Sequence, residues 1–341
     1  MSPSPQMGAQ SNITSGGFWP NLLLFLGTAF LCLVIVEGDF RFLIARRTNR
    51  GMKFQEDVVY SYEPRAHVDG IVMNDIGCIG DDVLREKGKN EIRVLLLGES
   101  TSFSQHYVDV VRRTLQSALP QIRPVVFSCG RPRYTSFVNA VNLEDHLIQY
   151  HPDVVVLYMG INDNIYNSFP WLQDTPSIGF FNWKNLRALI SYRLFKYYVL
   201  EKAVWSRPEF GAAQLRSVPI FRKNMERMIS FALNHDAKVV LSTFAISMPT
   251  DDVALAAHIK NEERIMEHFW GKTDSTIIGV DAHNEVIRAL GTKPEVWLVE
   301  NSNAVPRNTA HFVDICHLTD AGYDILAGNI AKGIAEAFGE H

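Results

Sequence analysis

The stretch IRVLLLGESTSFS, residues 92–104, decides the fold. Ile92 to Leu97 is an unbroken apolar run of strand character. It passes directly into Gly98, Glu99 and Ser100, and a helical pattern follows over Tyr107–Leu119. A strand ending in this way places a hydroxyl at the carboxyl edge of a sheet, where open α/β proteins keep their sites. Ser100 is therefore a candidate nucleophile. Taken alone, a Gly-x-Ser after a strand is equally a plain turn.

The same alternation continues outward. Strand-like runs occur at Arg93–Leu97, Pro124–Ser128, Val154–Tyr158, Lys238–Thr243 and Thr276–Val280. Helical patterns occur at Tyr107–Leu119, Ser136–Tyr150, Phe221–Asn234, Val253–Trp270 and Asp320–Phe338. Continuous rather than alternating apolar strands predict a parallel sheet covered on both faces. Strand–helix alternation then predicts a doubly wound α/β domain, placed over residues 91–341. One connection is out of scale: an aromatic-rich insert at about 165–215 is far longer than an ordinary βα loop. Within it, Leu186–Trp205 reads as an amphipathic helix with Arg187, Arg193, Lys196 and Lys202 on the polar side. Its two readings are an extra packing layer, or a lid or membrane-contacting element beside the site.

The N-terminal part differs in kind. Residues 1–17, rich in Ser, Gly and Pro, read as a disordered tail. No charged side chain occurs from Ser2 through Val36, and Phe18–Val36 is almost wholly apolar. That length suits one bilayer crossing, so residues 18–37 are read as a transmembrane anchor. A cleaved signal peptide fits less well, because the preceding segment lacks Lys or Arg and no Ala-x-Ala-like site follows. Residues 38–90 read as a juxtamembrane lead-in carrying the turn-rich YEPRAHVDGIVMNDIGCIGDD. The basic cluster Arg41, Arg46, Arg47, Arg50 and Lys53 follows the span. By the positive-inside rule it puts the large domain in the cytoplasm, although long domains translocate regardless of such charge.

Composition narrows the rest. Apolar residues make up 47% of the 341, ample for a substantial core. A net charge of −4 gives no reason to expect a nucleic-acid partner. Cys32 falls in the span, leaving Cys78, Cys129 and Cys316 without C-x-x-C spacing. Neither a disulfide framework nor a zinc site is indicated, and each is expected to be a small buried hydrophobe. His67, His106, His146, His151 and His283 are scattered without metal-ligand spacing. No cofactor is expected.

A nucleophilic Ser needs a base, a group that orients the base, and donors for the developing oxyanion. HFVDICHLTDAGYDILA supplies His317 as base with Asp314 three residues before it, ahead of a Thr319-Asp320 cap for the last helix. His311 is the rival base. DVVVLYMGINDN carries a strand into Gly160, Asn162 and Asp163, where Asn162 offers a neutral amide donor. VVFSCGRPRYTS carries another into Gly130, whose backbone N–H can approach a substrate oxygen closely. Each signal is short. Their conjunction at one sheet edge is the argument.

In order and spacing, these four blocks resemble the SGNH hydrolases, the GDSL-type esterase/lipase superfamily, across about residues 91–338. The resemblance implies a flavodoxin-like sheet preceded here by one N-terminal transmembrane helix. It implies Ser100 as nucleophile, His317 as general base and Asp314 as its partner. The implied oxyanion hole is the Ser100 N–H, the Gly130 N–H and the Asn162 amide. The expected activity is that of a membrane-anchored carboxylic ester hydrolase acting on a lipid, small-molecule or O-acylated glycan ester through an acyl-enzyme. An O-acyltransferase acting on an envelope polysaccharide keeps the same residues, and a catalytically silent membrane-tethered binding module keeps only the fold. Family members often work outside the cytoplasm, which favours the opposite orientation to the charge rule. Two departures stand out: Glu99 where the name motif has Asp, and Arg133 where many relatives carry a small residue.

Overall fold

A computed structural model describes residues 18–47, 52–54, 60–168 and 211–339. Its centre is β6 (Glu91–Gly98), in which all eight residues are buried. Side chains alternate across a strand, and here both sets find helices. Val94 and Leu96 pack with Tyr107, Val108 and Leu115 of α2 (Gln105–Ala118) and with Leu326 and Ile330 of α8 (Asp320–Gly339). Leu95 and Leu97 face the opposite layer: α3 (Ser136–Asn142), α5 (Ser217–Leu233) and α7 (Thr273–Leu290), through Ala140, Phe221, Met225 and Ile287. Each fully buried Val, Leu, Ile, Phe or Met among these contributes about 1.5–3 kcal/mol of transfer free energy. That two-sided burial is why the strands read as continuous apolar runs.

The sheet runs β10 (Val296–Val299), β9 (Lys238–Ser242), β8 (Val154–Tyr158), β6, β7 (Arg123–Ser128) and β5 (Ile79–Gly80). All neighbours are parallel except β5, which pairs antiparallel with β7. Counting only the parallel strands in chain order gives 2-1-3-4-5, the flavodoxin-like order. The direction of winding reverses between β6 and β8, the place where sheets of this order bind ligands beyond the carboxyl ends of their strands.

One expected strand is a helix. Thr276–Val280 reads as a β-branched run, but it lies inside α7, where Thr276, Val280, His283, Ile287 and Leu290 are buried at helical spacing. Tertiary burial on one helix face overrides a weak local β preference. The fifth parallel strand is β10, a four-residue edge strand with only Val296 and Val299 buried. The long Ser136–Tyr150 helical pattern is broken into α3, a π-helical turn over Leu143–Leu147 and a 3-10 turn over Ile148–Tyr150.

Before β5, short ladders join β1 (Met52–Phe54) to β2 (Tyr60–Tyr62), and β3 (His67–Val68) to β4 (Ile71–Val72). The lead-in contributes directly to the α/β core through Tyr62, Met73 and Ile79. The register Ile79↔Ser128 sets Cys78 across from Cys129, and the two form a disulfide. This corrects the expectation that these cysteines are separate buried hydrophobes. Cys316 is buried and free, and Cys32 is exposed.

The first helix, α1 (Phe18–Arg47), is 30 residues long and outruns the expected 18–37 span, continuing through Arg41, Arg46 and Arg47. Its Trp19–Val36 window is long and apolar enough to cross a membrane, about 27 Å of helix from 18 residues, and none of that window is buried. The tail at 1–17 lies outside the described residues, as does most of the 165–215 insert, including the amphipathic segment Leu186–Trp205.

Candidate active site

At the end of β6 the chain turns through a 3-10 helix over Ser100–Ser102 and enters α2 with Ser104 as its N-cap, whose hydroxyl accepts from the Tyr107 N–H. The turn fits only because residue 98 is glycine: a Cβ there would collide with Ser102 Oγ and the Tyr158 carbonyl. Ser102 N–H donates to the Glu99 carbonyl at 3.0 Å, and the Tyr323 hydroxyl of α8 donates to the Thr101 carbonyl at 2.8 Å. Ser100 is thus presented, half-buried, on a turn tied down from two sides.

The loop before α8 brings the other two triad candidates to it. An isolated bridge between Phe312 and Leu318 closes the loop, and the Ser247 N–H donates to the Ile315 carbonyl at 2.9 Å. Asp314 Oδ1 accepts from the Cys316 and His317 N–H groups at 2.8 and 2.7 Å, which leaves Oδ2 for the His317 ring. His317 Nδ1 lies 2.6 Å from Asp314 Oδ2, and His317 Nε2 lies 2.8 Å from Ser100 Oγ. The rival, His311, turns instead to Asn308 Oδ1 at 2.7 Å.

Electrostatics fix the proton positions. Burial works against charge on Asp314, but the hydrogen bond and charge of His317 outweigh it and hold the carboxyl below its ordinary range. Burial likewise lowers the His317 pKa, and the Asp314 hydrogen bond and charge overcome it to give a net rise. An ionised Asp314 only accepts, so Nδ1 carries the proton and a neutral His317 presents the Nε2 lone pair to the Ser100 hydroxyl. That is a relay able to take a proton from Ser100. Asp314, Cys316 and His317 also bring potential metal-ligating atoms within 4.8 Å of one another. The Asp314 and His317 atoms already bond each other, and burial keeps the Cys316 thiol well above its ordinary pKa. The donor set suits proton transfer better than metal binding.

The other two blocks flank this relay. Gly130 follows β7 and rests against the nucleophile turn, where a Cβ would meet Ser102 Cβ at 2.5 Å and the Glu99 carbonyl at 3.0 Å. Arg131 holds the segment from behind, with Nη1 donating to the Gly130 carbonyl at 2.8 Å and Nη2 to the Gly77 carbonyl of the lead-in. Arg133 is exposed in a left-handed conformation, φ 66°. Asn162, on the turn after β8, is buried; its Nδ2 donates to the Tyr134 carbonyl at 3.0 Å, and its Oδ1 accepts from Trp270 Nε1 at 3.1 Å. An amide nitrogen has two hydrogens, so one donor of Asn162 is not committed to Tyr134.

Four supporting residues escape sequence reasoning. Glu99, fully buried, accepts the Gly160 and Asn162 N–H groups on one oxygen, each at 3.0 Å. Burial first, and then the charge of Asp163, raise its pKa well above the ordinary value, and its Oε1 clamps the Asn162 turn. The name-motif departure is therefore a structural post. His283, also fully buried, donates from Nδ1 to the Gly160 carbonyl at 2.6 Å while Nε2 accepts from the Ser217 hydroxyl at 2.8 Å. Burial lowers its pKa to about 4 and keeps it neutral. Asp163 does not close a local turn; it receives the Ser136 N–H at 2.8 Å and the Ser136 hydroxyl at 2.5 Å, anchoring α3. Trp270 completes the group. No local pattern announces these contacts, because each joins segments distant in the chain.

No protein-family model matches the sequence, and no curated protein matches it. Solved structures of similar shape include Axe2, an acetylxylan esterase from Geobacillus stearothermophilus, at 17% identity, covering 71% of this chain and 94% of that one with a TM-score of 0.43. A lipase/acylhydrolase from Enterococcus faecalis is 18% identical, covering 72% and 96% with a TM-score of 0.44. A putative acylhydrolase from Bacteroides fragilis is 18% identical, covering 74% and 90% with a TM-score of 0.44.

Proposed function

We propose that this protein is a membrane-anchored SGNH-type carboxylic ester hydrolase. The observation that carries the reading is the continuous hydrogen-bonded chain Asp314–His317–Ser100 at the switch point of the sheet. Ser100 Oγ attacks the ester carbonyl as its proton passes to His317 Nε2. Asp314 steadies the imidazolium without taking the proton. The carbonyl oxygen becomes an oxyanion facing the Ser100 and Gly130 N–H groups and the uncommitted hydrogen of Asn162. Collapse breaks the bond to the alcohol, which departs with the His317 proton while the acyl group stays bonded to Ser100 Oγ. Water, activated by the same His317, then releases the acid and restores the serine.

The α1 helix is read as the anchor, with the catalytic domain on the extracytoplasmic side. The Cys78–Cys129 disulfide supports that side, because such bonds persist in oxidising compartments. It outweighs the basic flank, which orients short loops more strongly than whole domains. Labelling intact cells with a membrane-impermeant amine reagent tests the side: modification of domain lysines supports it, and labelling only after lysis refutes it.

Turnover of p-nitrophenyl acetate by detergent-solubilised full chain tests the chemistry. Wild type releases p-nitrophenol and Ser100→Ala does not. Equal turnover in the two refutes the reading. A glycan acceptor added to the same assay separates hydrolysis from transfer, since free acid marks the first and an acylated sugar the second.

A further inference from the structure

We infer that Trp270, outside all four sequence blocks, is a positioning residue that sets the orientation of the Asn162 amide in the oxyanion site. The inference rests on the ester-hydrolase reading above.

A primary amide has two nearly isosteric faces, and only its partners decide which way it points. At Asn162 those partners have fixed roles. An indole N–H only donates and a backbone carbonyl only accepts. Trp270 Nε1 therefore selects Oδ1 at 3.1 Å, and the Tyr134 carbonyl selects Nδ2 at 3.0 Å. Together they leave the second Nδ2 hydrogen for an oxyanion. The backbone beneath is held separately, by Glu99 on the Gly160 and Asn162 N–H groups and by His283 on the Gly160 carbonyl. Glu99 and His283 place the turn. Trp270 and Tyr134 aim its side chain.

The indole is itself anchored. Trp270 ends α6 (Val253–Trp270) and is 8% exposed. Gly271, at φ 85°, turns the chain sharply into α7. The Thr276 hydroxyl then reaches back to this corner, with the Lys272 carbonyl at 3.1 Å and the Trp270 carbonyl at 3.3 Å sharing its one hydrogen. The ring also walls a small cavity shared with Ile259, Thr276 and Ile315, and Ile315 lies in the triad loop. Truncation to alanine would enlarge that cavity and confuse packing with hydrogen bonding. Phenylalanine keeps an aromatic ring and removes the donor.

Without the indole N–H, Asn162 Oδ1 is buried without its donor and the side chain turns to recover a partner, carrying Nδ2 out of line. Trp270→Phe should lower kcat about tenfold with KM unchanged, as expected for one buried hydrogen bond felt in the transition state. The loss should vanish in an Asn162→Ala background, since a residue acting through Asn162 has nothing left to orient. Benzothienylalanine at position 270, which replaces the indole N–H by sulfur at nearly constant shape, should reproduce the loss and serves if Trp270→Phe does not fold. Unchanged kcat in either variant, or a loss that adds fully to that of Asn162→Ala, overturns the inference. If Ser100→Ala retains turnover, the hydrolase reading fails instead, and the two failures are told apart by that control.

Discussion

Replacing Glu99 by Gln and by Ala tests the clamp beneath the oxyanion turn. Two buried N–H groups, those of Gly160 and Asn162, converge on one Glu99 oxygen at 3.0 Å each. Alanine leaves both without a partner, at about 1–3 kcal/mol apiece. The total, about 2–6 kcal/mol before any cavity cost, is a large part of a typical domain's 5–15 kcal/mol. Glutamine keeps the accepting oxygen and should retain most of the activity that alanine loses.

The same pair reveals the protonation state. Glu99 is raised well above its ordinary pKa, with burial the main cause. Above the ordinary glutamate pKa the unfolded chain has released this proton and the folded one has kept it. Stability must then fall with rising pH, by about 1.4 kcal/mol per unit, until the folded carboxyl ionises. His283 acts with the opposite sign. Its folded pKa of about 4 lies below the ordinary value of 6.5, so between these the unfolded chain binds the extra proton and stability rises with pH. In wild type the two slopes oppose each other over that window. Glu99→Gln removes the Glu99 slope and keeps those of His283 and the other titrating groups, and the His283 contribution is constant above pH 6.5. Urea denaturation of the solubilised full chain from pH 4.5 to 8, read as wild type minus Glu99→Gln, isolates Glu99. Parallel curves for the two proteins would refute a neutral buried acid at this position.

Two further expectations follow from the geometry. His317 must be neutral to act, and Asp314 raises its pKa, so kcat/KM should climb with pH through a value above the ordinary 6.5; Asp314→Asn should move that limb to lower pH and reduce kcat by up to about 10⁴-fold, read from pH–rate profiles. The disulfide closes a loop with a sequence separation of 51, so replacing both Cys78 and Cys129 by Ser should cost about 4 kcal/mol on chain-entropy grounds, measured by urea denaturation under non-reducing conditions.

The legible parts of this chain were those written in local pattern. Val94–Leu97 and Val154–Tyr158 announce buried parallel strands because helices cover both their faces, and the Val253–Trp270 helix shows its period plainly. Ser100 and Asn162 are readable as candidates because they stand just beyond strand ends, and Asp314 and His317 because they stand three residues apart in the loop before the last helix. Thr276–Val280 misleads, since β-branched residues there serve a helix face, and β10 is too short and too exposed to announce itself. Cys78 and Cys129 meet only through a two-residue antiparallel strand emerging from turns. Glu99, His283 and Trp270 take their roles from partners at sequence separations of 61, 123 and 108, distances over which no spacing rule operates.

Trapping the acyl-enzyme tests the central claim most directly. Full chain mixed with p-nitrophenyl acetate, quenched in acid during the burst and digested, should yield one acetylated peptide, modified at Ser100. The adduct should be absent from Ser100→Ala and should form far more slowly in His317→Ala. Acetylation at another residue, or the same burst from Ser100→Ala, would contradict the account.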